Sequence, residues 1–221
     1  MDAEVIYLYD TILFDLDGTL SDSAEGIINC VQYALEDMGI SAERRELYCF
    51  VGPPLKDMFM QKFGMDEETA KRAQSKYRER FSTIGIKENR MYEGIDGLLR
   101  ELRAAGKRLA VATSKPTKFS RQIVESYGIM PYFELVLGSE FTGERHSKAE
   151  VIRDVLSMMG VSDKSSVVMV GDRHYDVEGA AECGLDCIGV YYGYAEEGEL
   201  EAAGAVKTVR TVEELKKYLL S

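Results

Sequence analysis

Five short apolar runs rich in β-branched residues recur along the chain, at residues 11–14, 108–112, 134–137, 167–170 and 187–191. Their hydrophobicity is continuous rather than alternating, the pattern of a strand buried on both faces. Amphipathic segments separate them. Leu98, Leu99 and Leu102 recur at helical spacing, as do Ile123, Val124 and Tyr127, and then Val151, Ile152, Val155, Leu156 and Met159 ahead of the helix-stopping Gly160. Strand and helix in alternation predict an α/β fold, a Rossmann-like parallel sheet covered on both sides. A strand at 205–209 and a helix at 212–220 complete it.

The alternation breaks between about residues 21 and 90. Three helical stripes follow one another there: Ile27, Ile28, Val31, Ala34, Leu35 and Met38; then Leu55, Met58, Phe59 and Phe63; then Ala70, Ala73, Tyr77 and Phe81. The first is predicted to enter through Asp22 with Glu25 three residues on, a capping-box variant. The third opens on Asp66-Glu67-Glu68, which suits the positive end of a helix dipole. The sequence therefore predicts a discontinuous core, residues 1–20 and 89–221, carrying an inserted all-α cap at 21–88.

Charge narrows the partners. The formal net charge is −11, from 38 acidic and 27 basic residues, and no Lys/Arg cluster offers a face to a nucleic-acid backbone. An anionic substrate must find its positive charge locally. Cys30, Cys49, Cys183 and Cys187 fit neither a zinc spacing nor a disulfide framework, so they read as reduced thiols of a cytoplasmic protein. No run approaches the roughly 20 apolar residues of a membrane span, and residues 1–7 lack a basic leader pattern. A monomer is the default expectation.

The strand ends carry the chemistry. Ligands of open α/β sheets bind at the carboxyl ends of the strands. The first run ends in Asp15-Leu16-Asp17-Gly18-Thr19, with two carboxylates able to hold Mg²⁺. The second ends in Thr113-Ser114-Lys115, a hydroxyl, backbone N–H groups and a cation; the fourth ends in Gly171-Asp172, with Asp176 four residues on. Lys148 stands just before the Val151 helix. Carboxylates, a hydroxyl and a lysine at one sheet edge describe metal-assisted phosphoryl transfer.

Over nearly its whole length the chain resembles the haloacid dehalogenase superfamily, in its helical-cap phosphatase branch. Asp15 to Thr19 match the family's Asp-x-Asp-Gly-Thr, Thr113 its second motif, Lys148 its lysine, and Gly171, Asp172 and Asp176 its Gly-Asp-x-x-x-Asp. Many relatives set that lysine before a proline; here it follows Arg145-His146-Ser147, and its place at a helix start selects Lys148 over Arg145. The resemblance implies that Asp15 is the nucleophile and Asp17 the general acid and base. It also implies that Asp15, Asp17 (through its carbonyl), Asp172 and Asp176 serve Mg²⁺, and that Thr113, the Ser114 amide and Lys148 bind the phosphoryl oxygens; Lys115, the cation at the same strand end, is expected to bind substrate. Dehalogenation needs neither Asp17 nor a metal, so Asp17 favours phosphate chemistry.

Phe50-Val51-Gly52-Pro53-Pro54-Leu55 is similar to a cap loop of phosphoglycolate phosphatases, which would place Gly52 near the substrate; a Pro-Pro turn starting a helix explains it equally well. The implied substrate is a small phosphate monoester, phosphoglycolate-like or another phosphorylated metabolite. A nucleotidase or pyrophosphatase is the first alternative, a phosphomutase resembling β-phosphoglucomutase the next, and a non-catalytic binding protein the last. His146, His174 and Arg173 flank the motifs and read as polar neighbours, Tyr191, Tyr192 and Tyr194 as packing, and Glu196 to Glu199 as a solvated helix start.

Overall fold

The computed structural model describes residues 9–141, 145 and 147–221. Its strands are β1 (Thr11–Phe14), β2 (Ser21–Asp22), β3 (Arg90–Met91), β4 (Arg108–Pro116), β5 (Leu135–Ser139), β6 (Val167–Gly171), β7 (Asp186–Val190) and β8 (Lys207–Val209). Six of them form one parallel sheet in the order β5-β4-β1-β6-β7-β8. All five apolar runs lie in it. The second run continues past Ala112 to Pro116, with a shift of register between Thr113 and Pro116.

Register explains the double burial. Ile12 sits opposite Leu109 and Val168, and Phe14 opposite Val111 and Val170. These six side chains point into one core, while Leu13, Ala110, Ala112 and Met169 point into the other. The first core is closed by α4 (Ile95–Ala104), α5 (Thr117–Ser126) and α9 (Val212–Leu219). The second is closed by α6 (Lys148–Met158), α7 (His174–Glu182) and α8 (Glu199–Ala203).

Between β2 and β3 the chain builds α1 (Ala24–Asp37), a 3₁₀ segment (Arg44–Phe50), α2 (Leu55–Phe63) and α3 (Glu67–Phe81). The predicted stripes face inward, with Phe59 tilted against Phe50 at 4.9 Å and Tyr77 stacked on Phe81 at 5.3 Å between ring centroids. Asp66 caps α3 by accepting from the Thr69 amide at 2.7 Å. β2 and β3 pair antiparallel where this insertion leaves and rejoins the sheet. Among the described residues no helix is long and apolar enough to cross a membrane, and all four cysteines are free.

The predicted Asp22–Glu25 box does not form. Asp22 lies in β2, where it accepts from Arg90 at 2.6 Å, and α1 begins at Ser23 without a side-chain cap of its own. The cap comes from far along the chain. The Tyr194 hydroxyl accepts from the amides of Ser23 and Ala24 at 2.8 and 3.0 Å and donates to Asp22 at 2.7 Å. Tyr194 is thus more than packing, and an orphaned helix N-terminus explains why. Tyr194→Phe leaves two amides without an acceptor and is expected to cost about 1–2 kcal/mol in denaturant unfolding, the scale of a lost N-cap.

Candidate active site

β1 runs up the middle of the sheet with β4 on one side and β6 on the other, so the chain reverses direction of travel across the sheet at this point. A crevice opens where the two crossovers diverge. Asp15, Thr113 and Asp172 stand at the ends of these three strands or within them. Lys148 is the first residue of α6, fixed by a capping box in which the Glu150 amide donates to Ser147 Oγ and the Ser147 amide donates to the Glu150 carboxylate, each at 3.2 Å. Asp176 projects from the first turn of α7.

These residues converge. Asp15, Asp172 and Asp176 each bring a carboxylate oxygen within 4.8 Å of the others, and all three are buried. Lys148 Nζ lies 2.8 Å from Asp15 Oδ1 and 2.7 Å from Asp176 Oδ1, and donates to the Ala112 carbonyl at 3.1 Å. Both oxygens are buried, and the Lys148 ammonium is the cation they share. Two glycines permit the crowding. Gly18 has φ +86°, and a Cβ there would lie 2.0 Å from Asp172 Oδ2; one on Gly193 would lie 2.5 Å from Asp172 Cβ. Asp172 is held by the Tyr194 amide at 2.9 Å and the Thr19 hydroxyl at 3.3 Å.

Burial dominates the electrostatics. It raises the Asp15 carboxyl to about 6, against the opposing pull of Lys148 and with added repulsion from Asp176. Asp172 is pushed well above the usual carboxylate range by burial and then by Asp176 and Asp15. Burial alone would lower the Lys148 ammonium, but the two carboxylates outweigh it and hold the proton more firmly than usual.

Asp17 stands apart from the cluster. Lys115 Nζ donates to both of its oxygens, at 3.0 and 2.7 Å, and lies 4.7 Å over the Phe81 ring of α3. Lys115, predicted to meet substrate, is therefore paired with a catalytic candidate. Thr113 is buried and its hydroxyl accepts from the Lys115 amide at 3.3 Å. The Ser114 carbonyl accepts from Ser139 Oγ at 2.7 Å. From Asp17, Ser114 and Lys115 a cavity of about 430 Å³ opens toward the insertion, with Gly52 at its far wall. Phe50, Tyr77, Phe81, Phe119 and Phe141 give it an aromatic lining.

Arg145 points elsewhere: it pairs with Glu140, lies 3.4 Å from Asp154 and donates to the Gly138 carbonyl at 2.8 Å. His146 lies outside the described residues. Glu199, read as part of a solvated helix start, does open α8 but is largely buried, and accepts from Arg173 Nε at 2.8 Å, from the His174 amide at 2.9 Å and from the Glu196 amide at 3.1 Å. Burial would raise its carboxyl, yet Arg173 and His174 hold it down at about 2. No spacing rule links residue 199 to residue 173; only the fold of the loop after β7 does.

The comparisons agree with this geometry. Residues 12–190 match the model of the haloacid dehalogenase-like hydrolase family. The chain is 46% identical to a 5'-nucleotidase of Pseudomonas aeruginosa, over 88% of each chain. It is 37% identical to the tyrosine-protein kinase PtkA of Mycobacterium tuberculosis, over 94% of this chain and 72% of that one. It is 28% identical to a phosphoglycolate phosphatase of Colwellia psychrerythraea, over 84% of this chain and 85% of that one. The crystal structure of a predicted phosphatase from Clostridium acetobutylicum superposes with a TM-score of 0.93 at 45% identity, covering 96% of this chain and 99% of that one. A doubly wound sheet with buried carboxylates and a lysine at its switch point, and relatives of this kind, place the chain among the phosphatases of the haloacid dehalogenase-like hydrolase family.

Proposed function

We propose that the protein is a Mg²⁺-dependent phosphatase that hydrolyses a small phosphate monoester through an aspartyl-phosphate on Asp15. The observation that carries this reading is the meeting of Asp15, Asp172 and Asp176 around Lys148 at the sheet's switch point. A carboxylate oxygen of Asp15 attacks phosphorus and the ester P–O bond breaks. Asp17 gives its proton to the leaving oxygen, then takes one from the water that attacks the aspartyl-phosphate, releasing inorganic phosphate and restoring Asp15. The Lys115 pair must loosen for Asp17 to reach the leaving group. Lys148, the Thr113 hydroxyl and the Ser114 amide are the groups assigned to the phosphoryl oxygens. Residues 21–88 act as a cap that excludes water from the crevice.

The residues fit a divalent cation. The donor set is all oxygen, as Mg²⁺ prefers. Among the described residues Asp15, Asp17 and Asp176 are ion-paired with Lys115 and Lys148, and the nearby Arg173 is taken by Glu199, so with Asp172 two negative charges are left over when all four are ionised. The raised Asp172 carboxyl, crowded by Asp176 and Asp15, points the same way. Asp15, Asp172 and Asp176, with the Asp17 carbonyl, would hold the ion, which supplies charge for the phosphoryl group.

The cavity favours a nucleoside 5'-monophosphate over phosphoglycolate as substrate. Its aromatic wall suits a planar leaving group, and Arg78 lies 4.7 Å over the Phe141 ring with no carboxylate partner among the described residues. The 46% identity to a 5'-nucleotidase supports the same reading. In a panel of phosphorylated metabolites, 5'-nucleotides are expected to show the highest kcat/KM; a maximum at phosphoglycolate would reverse the order.

Asp15→Asn is expected to abolish phosphate release, and Asp17→Asn to lower kcat by about 10²–10⁴, with both proteins folded by circular dichroism. Undiminished turnover in Asp15→Asn would remove the nucleophile.

Stability gives a second test. Because the folded Asp15 carboxyl titrates near 6 instead of 3.8, its ionisation costs stability as pH rises through that interval. With chelator at about pH 7.5, Asp15→Asn is expected to melt a few degrees above the unsubstituted protein. The gap should close as pH falls from about 6 to 4, and Mg²⁺ should raise the melting temperature of the unsubstituted protein more than that of the variant.

A further inference from the structure

Arg173 follows Asp172 directly, and its backbone amide donates to Asp176 Oδ2 at 3.1 Å. Its side chain is used differently. Nε donates to Glu199 at 2.8 Å and Nη1 donates to the Val51 carbonyl at 3.2 Å, with the two side chains of the ion pair only 16% and 14% exposed. Glu199 is anchored in turn to the start of α7 by the His174 amide and ring nitrogen, each at 2.9 Å.

Val51 belongs to the insertion and immediately precedes Gly52, Pro53 and Pro54, which wall the cavity. Two prolines have no N–H with which to tie that segment down. Gly52 has φ +102°, a conformation that side chains disfavour, and a Cβ there would stand 3.5 Å from Arg173 Cγ. One residue therefore touches the carboxylate cluster with its main chain and the cavity wall with its side chain.

We propose that Arg173 is a positioning residue that latches the 51–54 wall to the loop carrying Asp172 and Asp176, keeping the leaving-group pocket in register with the phosphate end. The proposal rests on the reading that the cavity receives the leaving group. Arg173 touches no reacting atom. Without the latch the wall drifts, so contacts to a leaving group large enough to reach it weaken. An ester whose leaving group stops short of the wall loses much less.

The test compares p-nitrophenyl phosphate, whose aromatic leaving group enters the cavity, with phosphoglycolate, a phosphate ester whose leaving group is small, using the full chain with Mg²⁺. Arg173→Met is expected to lower kcat/KM for the aryl ester about tenfold more than for phosphoglycolate, with the excess in KM rather than kcat. Arg173→Lys keeps the charge but not the fork that reaches two partners, and should recover part of the loss. Glu199→Ala breaks the same ion pair and should give the same ester selectivity; combined with Arg173→Met it should add little, since both remove one contact. If Arg173→Met does not fold, Glu199→Ala carries the test.

Equal losses on both esters, expressed in kcat, would overturn the latch, because Arg173 would then be supporting the cluster alone. Phe119→Ala, which alters the aromatic wall elsewhere, separates the two readings. If it discriminates between the esters and Arg173→Met does not, only the latch falls. If neither discriminates while Asp15→Asn is inactive, the cavity reading falls and takes the latch with it.

Discussion

One buried ammonium organises the site. Lys148 stands between Asp15 and Asp176 with almost no access to water, a placement that would be unfavourable for a lone cation or a lone carboxylate. Because two carboxylates share the one ammonium, the loss of either still leaves it paired. The capping box that starts α6 and the Ala112 carbonyl that receives the ammonium are consequences of this demand as much as supports for it. Even so, Lys148 does not neutralise its surroundings, and the excess of negative charge is the physical ground for assigning a cation here.

The sheet makes that concentration of charge possible. β1 is buried along its whole length, hydrogen-bonded to β4 and β6 at its edges and covered by helices on both faces, so the three strand ends are rigid relative to one another. Charged groups placed on such a frame cannot relax apart. The insertion is different. It meets the frame through the paired β2 and β3, the Tyr194 hydroxyl, the Phe81 ring over Lys115, and Arg173 on Val51. Apolar packing joins them too: Phe81 meets Phe119 of α5 edge to face at 5.2 Å between ring centroids, and buried side chains of insertion and sheet belong to one continuous cluster.

The sheet and its motifs were legible because their causes are local. Continuous apolar runs, helical stripes and a glycine beside two aspartates each state their reason within a few residues. Lys148 could be chosen over Arg145 because it opens a helix, and Arg145 is indeed occupied by Glu140 and the Gly138 carbonyl. What escaped depends on distant partners. Asp22 reads as a helix cap until Arg90 and Tyr194 are seen to hold it. Glu199 reads as solvated until Arg173 and His174 close over it. Lys115 lines the cavity, as its place at a strand end suggests, but its ion pair with Asp17 has no trace in the sequence.

Tyr194 has its amide on Asp172 and its hydroxyl on the neck of the insertion. The two attachments are separated by a phenol ring, which does not stretch or bend. The distance from the carboxylate cluster to the root of the cap is therefore set by the dimensions of one aromatic side chain, not by the slack of a loop. A cap of another size or sequence can be grafted onto this frame as long as its first helix presents two free amides to that strut. Its helices can then vary while their root stays at a fixed depth above the carboxylates.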